Sequence, residues 1–95
     1  MKLNLESLSP ESELLDLIDL TLVEDLRDGP KWITAEDLEK RIRENHPRRA
    51  EMIFTYRQAC AKYLHRLSQK KPERVAKGRT NAANGWFIHP KSPEV

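Results

Sequence analysis

Cysteine is almost absent from this chain: Cys60 stands alone among 95 residues. A single thiol excludes an intrachain disulfide, and a reducing compartment is the expectation. Glycine is scarce too, and its three residues form neither a phosphate-cradling loop nor a nucleophile elbow. Long hydrophobic runs are missing. Residues 14–26 are Leu-rich, but Asp16, Asp19, Glu24 and Asp25 interrupt them, and the stretch is too short to cross a bilayer. The opening Met1-Lys2-Leu3-Asn4-Leu5-Glu6 has neither the apolar core nor the small-residue cleavage site of a secretory leader. These absences point to a soluble, cytoplasmic protein. Internal repeats and low-complexity tracts are also lacking.

The chemistry of catalysis is equally thin. His46, His65, His89 and Cys60 are the only soft ligands, and no two of them share the paired spacing of a zinc site. Nothing groups a Ser or Cys with a base and an orienting acid. No catalytic residue, metal or cofactor is expected, and the chain does not read as an enzyme. Cys60 falls on the apolar stripe of a helix and reads as core.

What the chain has is charge, unevenly placed. Residues 1–28 hold eight acids (Glu6, Glu11, Glu13, Asp16, Asp19, Glu24, Asp25, Asp28) against Lys2 and Arg27. Residues 48–91 hold eleven bases against only Glu51 and Glu73. The net charge of +2 therefore hides two opposed fields. A cationic half of this kind suits a nucleic-acid surface better than a catalytic cleft. With 38% hydrophobic residues the chain can still fold, and its length allows one compact domain.

The residue pattern divides that domain into ordered elements. Residues 1–8, with Leu3, Leu5 and Leu8 alternating with polar neighbours, read as an N-terminal arm, either short and extended or a frayed tail. Ser9-Pro10-Glu11 starts a first helix with a hydroxyl cap, proline at the first helical position and acid in the first turn. It should run to about Asp28, where Gly29-Pro30 stops it, burying Leu14, Leu15, Ile18, Leu22 and Leu26. Leu20 and Val23 fall outside that stripe and either pack beneath the arm or contact a second copy. The acids of this helix solubilise a face turned away from the cationic surface, steer phosphate by repulsion, or bind a basic partner.

Lys31-Trp32-Ile33 reads as a short strand. Thr34-x-x-Asp37 then caps a second helix, Ala35 to about Glu44, with Leu38 and Ile42 inward. Asn45-His46-Pro47 ends it. Thr55-x-x-Gln58 has the form of a capping box, so the third helix is expected to start at Thr55. Its apolar stripe is Tyr56, Cys60, Tyr63, Leu64 and Leu67. Thr55, Gln58, Lys62, His65 and Gln69 lie opposite, with Arg57, Ala61 and Arg66 along the edges. Between Asn45 and Phe54, either a short extra helix intervenes or the third helix begins earlier, at Pro47. Pro72 ends the third helix. Strands are expected at Arg74–Lys77 and Gly85–Ile88, joined by the polar loop 78–84 and followed by His89-Pro90 and a loose tail, 91–95. Trp32, Trp86, Phe87 and Ile88 are expected in the core.

The order helix, strand, helix, helix, strand, basic loop, strand resembles the winged helix-turn-helix family over roughly residues 10–90. The likeness rests on Trp32-Ile33-Thr34-Ala35-Glu36-Asp37-Leu38, on Thr55 through Leu67, on Glu73-Arg74-Val75, and on Gly85-Trp86-Phe87-Ile88. It implies a mainly α chain with a small antiparallel β-hairpin: an α+β, three-helix domain over residues 9–90. It also implies duplex DNA as partner, with the third helix in the major groove and the hairpin as a wing. A small prokaryotic or phage transcription regulator would fit. The ten residues from Asn45 to Phe54 depart from the family's short turn.

The residue types agree with that expectation. Gln58, Lys62 and His65 can meet base edges, and Arg57 or Lys62 can reach guanine acceptors. Thr55 and Arg66 complete the helix set. Arg74, Lys77, Arg79 and Lys91 are candidate phosphate contacts, with Asn81 and Asn84 as neutral donors on the wing. Two other functions remain open. One is a protein-interaction module on the same scaffold, including a homodimer through Leu20 and Val23. The other is single-strand binding with Trp86, Phe87 and Tyr56 as stacking groups, although aromatics amount to only 6%.

Overall fold

The computed structural model describes residues 9–79 and 83–91. Within them the chain is mixed α+β, with four α-helices and a three-stranded antiparallel sheet. The N-terminal arm, Asn81 and the last four residues of the tail lie outside the described residues.

Helix α1 spans Pro10–Thr21. Ser9 Oγ accepts from the Ser12 amide at 3.1 Å, Pro10 occupies the first turn, and Glu11 and Glu13 meet the positive helix end. The helix stops at Thr21 rather than at Asp28. A turn and a 3-10 segment, Asp25–Asp28, carry the chain onward. β-Branched Thr21 and Val23 weaken helix continuation, and the tighter path still buries both Leu22 and Leu26. It also sets Asp25 3.1 Å from both Arg41 and Lys31. The buried stripe is Leu14, Leu17, Ile18, Leu22 and Leu26, with Leu15 only half-buried at its margin. Gly29 closes the segment at φ 119° and ψ −161°, a region open essentially to glycine alone.

Strand β1 is Lys31–Ile33, as its sequence implies. Helix α2, Ala35–Asn45, follows with Thr34 Oγ1 accepting from the Asp37 amide at 3.1 Å. Leu38 and Ile42 face the core.

The stretch between the second and third expected helices contains a separate helix, α3, at Pro47–Ile53. Helix α4 then spans Ala59–Lys70. The Thr55 start is therefore corrected. Gln58 occupies the N-cap position at φ 71° with no side-chain capping bond, and Thr55–Gln58 form the turn between helices. Packing overrides the local signal. Ending α3 at Ile53 lets Ala50, Ile53 and Phe54 enter the core. Burial of two such large side chains is worth about 1.5–3 kcal/mol each, against about 1 kcal/mol for one cap. Arg43 secures the junction by donating to the Phe54 carbonyl at 3.2 Å, with its guanidinium 5.4 Å from the Phe54 ring centroid.

Strands β2 (Val75–Arg79) and β3 (Asn84–Ile88) form the hairpin, and β1 adds to β3, giving the order β1-β3-β2. Val75 pairs with Ile88, Lys77 with Trp86 and Arg79 with Asn84. Strand alternation puts these pairs on the face turned to the helices, and Val75, Trp86 and Ile88 are buried there. Phe87 is 41% exposed, and Trp32, its partner on β1, is half-buried. The expectation that all four apolar residues lie inside fails because adjacent strand residues cannot share a face. Glycine accommodates the outer rings: a Cβ at Gly85 would collide with the Trp32 indole, and one at Gly78 with the Phe87 ring.

Gly29→Ala should destabilise the fold by about 1–3 kcal/mol in denaturant titration, through backbone strain alone; open space surrounds a Cβ there. Hydrogen bonds from Arg41 and Lys31 lower the Asp25 pKa from 3.8 to about 2. A depressed carboxylate contributes stability above its unfolded pKa and loses it as pH falls through the folded value. Stability should therefore decline between pH 4 and pH 2 with a component of roughly 1 kcal/mol that Asp25→Asn lacks, as read by thermal melts across that range.

Candidate nucleic-acid interface

Helix α4 presents two chemically distinct sides. Ala59, Cys60, Tyr63, Leu64 and Leu67 are buried, whereas Lys62, His65, Arg66 and Gln69 are exposed. This is the polarity that the 3.6-residue period demands. Tyr56 is corrected from core to surface. It precedes the helix at 46% exposure, stacks edgewise on Tyr63 at 6.3 Å, and holds its ring 5.9 Å from Lys62 Nζ. Such an exposed cation–π contact is worth about 0.5–1 kcal/mol. It restrains a long side chain that would otherwise sweep freely. Thr55, Arg57 and Gln58 are exposed in the turn before the helix rather than on its face.

The hairpin lies beside this surface. The His65 ring meets Trp86 of β3 edgewise, with centroids 6.5 Å apart. Lys77 sits opposite Trp86 and Arg79 opposite Asn84, so both cations share the sheet face that carries the Trp86 ring toward α4. Their i, i+2 spacing puts them about 6.8 Å apart along the strand. Lys77, Arg79 and Asn84 are all exposed. Among the described residues, Arg57, Lys62, Lys77 and Arg79 form no ion pair, and the same holds for Arg48 and Lys91.

Arg74 leaves the expected set. It is only 8% exposed, pairs with Asp19 and donates from Nε to the His89 carbonyl at 3.0 Å. A buried guanidinium without such partners would be costly. Its role is structural, joining α1 to both ends of the hairpin. Arg66 is exposed but lies 3.3 Å from Glu11, which Lys70 also approaches at 3.8 Å. Arg49 of α3 pairs with Glu13 and with Asp16. The acids of α1 are thus matched by bases from α3, α4 and the segment before β2. The basic partners of the α1 acids therefore include bases of the same chain. These pairs join residues 33–59 positions apart, so sequence periodicity could not show them.

Cys60 is buried, and desolvation pushes its thiol up to about 12, the behaviour of a core residue. Trp86 is also buried, so only Phe87 and Tyr56 of the three stacking candidates reach solvent. Among the described residues no cluster of three or more His, Cys, Asp or Glu side chains has metal-binding geometry. No helix there is long and apolar enough to cross a membrane.

No family model, curated protein or solved structure matches this chain.

Replacing Arg74 with Ala should cost about 2–3 kcal/mol in urea unfolding, because Asp19 and the His89 carbonyl lose their donor.

Proposed function

We propose that this domain binds duplex DNA in the manner of a winged helix, with α4 entering the major groove and the β2–β3 hairpin following adjacent phosphates. The observation that carries the reading is the His65–Trp86 contact. It sets a side chain from the exposed side of α4 against the strand that faces Lys77, which supports a cationic surface shared by α4 and the hairpin. The element order and the sheet order β1-β3-β2 support the same reading. The additional helix α3 takes the place of a tight turn.

On this reading Gln58, Lys62 and His65 approach base edges, and Lys62 or Arg57 supplies a cation for guanine. Lys77 and Arg79 contact phosphates, and Asn84 donates beside them. Thr55, at the entrance to the turn, can donate to the backbone. Arg74 and Arg66 have no part in this surface. A groove-reading helix needs rigid support, and the core behind α4 provides it through Tyr63, Leu64 and Leu67. Prokaryotic or phage transcription control is the setting most consistent with so small a DNA-binding unit.

A second reading concerns assembly. Leu20 and Val23 are 49% and 54% exposed and share a shallow cleft with Leu26 and Pro90. Two such surfaces would form an isologous contact and double the DNA footprint. Sedimentation of Leu20→Glu against the wild type tests it; a mass unchanged from the wild type removes the dimer.

Four unpaired cations set the expected electrostatics: Arg57, Lys62, Lys77 and Arg79. In fluorescence anisotropy with a mixed-sequence duplex, log K should fall with log salt at a slope of about −3.6, that is −0.9 for each of four cations that displace counterions, Arg57 and Lys62 in the groove as well as Lys77 and Arg79 at the phosphates. The double variant Lys62→Ala/Arg79→Ala should weaken binding about tenfold or more and flatten the slope by about 2. Wild-type affinity in that variant would remove the groove-and-wing reading. A preference for single strand in direct competition would transfer the surface to single-stranded nucleic acid.

A further inference from the structure

We infer that Glu11 sets the boundary of the DNA footprint by withholding the C-terminal half of α4 from phosphate. The inference rests on the duplex-binding reading above and extends it to a residue outside the contact surface.

Glu11 is an anomaly for its type. It lies in the first turn of α1 yet is only 7% exposed, and its two carboxylate oxygens face α4. Oε2 is 3.3 Å from Arg66 Nη1, and Oε1 is 3.8 Å from Lys70 Nζ. Both cations are well exposed, with 50% and 68% of their side chains accessible. Arg66 stands one helical turn beyond Lys62, about 40° around the axis, at the edge of the face assigned to the groove. Without Glu11, α4 would present Lys62, Arg66 and Lys70 as a continuing cationic row. With Glu11 in place, the row effectively ends at Lys62 and the field shifts toward the hairpin.

The physics is competition for one cation. A pair near the surface is worth little, on the order of 1 kcal/mol or less. It is nonetheless intramolecular and permanently poised, while phosphate must be recruited from solution. Arg66 therefore contributes to binding only after breaking a contact that the carboxylate has already made. The neighbouring pairs on α1 do not act this way, because Arg74 is buried and Arg49 belongs to α3 rather than α4.

The test is a mutant cycle on duplex binding, using the whole chain. Glu11→Gln preserves size and removes the charge. It should tighten binding to a mixed-sequence duplex about threefold or more at low salt and steepen the salt slope by about 0.9 for each of Arg66 and Lys70 that gains a phosphate, up to about 1.8. In the wild-type background, Arg66→Gln/Lys70→Gln should leave affinity nearly unchanged. Combined with Glu11→Gln, the same pair should abolish the gain. A gain that persists in the triple variant overturns the proposal, since Glu11 would then act by direct repulsion of DNA. A large loss from Arg66→Gln/Lys70→Gln alone also overturns it, because those cations would already be engaged. The reporter for the underlying reading is Lys62→Ala/Arg79→Ala. If that variant loses binding while Glu11→Gln changes nothing, only the footprint inference fails; if the wild type does not bind duplex, both fail. Should Glu11→Gln fold poorly, Glu11→Asp offers a second route: its shorter carboxylate withdraws from Arg66 and Lys70, so retained wild-type affinity in a folded Glu11→Asp variant overturns the inference.

Discussion

The guanidinium of Arg74 is the joint on which this architecture turns. It reaches Asp19 on α1 and the His89 carbonyl just beyond β3, while the Arg74 carbonyl accepts from the His89 amide at 2.8 Å. Both ends of the hairpin are thereby fastened to the helical body at its acidic side. A two-stranded ribbon is only marginally stable by itself, and β1 along β3 together with the Arg74 joint fixes its orientation. With its base fixed, and with Val75 and Ile88 buried beside α4, the hairpin has one direction in which to project. That direction sets Trp86, with Lys77 across from it on β2, against His65 of α4.

The same joint explains the use of charge. A chain with opposed acidic and basic segments has two ways to fold: it can keep the fields apart or partly cancel them. Here the cancellation is selective. Glu11, Glu13, Asp16 and Asp19 take Arg66, Lys70, Arg49 and Arg74, and Asp25 takes Lys31 and Arg41. Among the described bases without an ion pair, Arg57 and Lys62 lie at the start of α4 and Lys77 and Arg79 on the hairpin, with Lys40, Arg48, Lys71 and Lys91 elsewhere. The cationic surface of the folded domain is therefore smaller and more local than the charge of residues 48–91 suggests. For the duplex binding we propose, fewer free cations would mean a weaker non-specific pull and a larger share for contacts that read bases.

Much of the fold was legible because local physics settles it. Ser9-Pro10 and Thr34 cap their helices as their side chains dictate, Lys31–Ile33 pairs as a strand, and the Cys60, Tyr63, Leu64 and Leu67 stripe faces inward. The readings that failed share a cause. The Thr55–Gln58 signature is a real local preference, overridden by the gain from burying Ile53 and Phe54. Phe87 and Tyr56 are apolar enough for a core, but strand alternation and the turn before α4 turn them outward. Arg74 and Arg66 look like their free neighbours in sequence, and only their distance from α1 carboxylates distinguishes them.

The sequence by itself determined most of the elements, their order, the capped starts of α1 and α2 and the separation of charge along the chain. Those properties arise from interactions within a few residues, where spacing is fixed by covalent geometry. Tertiary structure alone decided which cations remain free, which aromatics are covered, and that α4 and the hairpin share one side of the molecule. These depend on charges and surfaces tens of residues apart meeting at a few ångströms, a distance set by packing rather than by position in the chain.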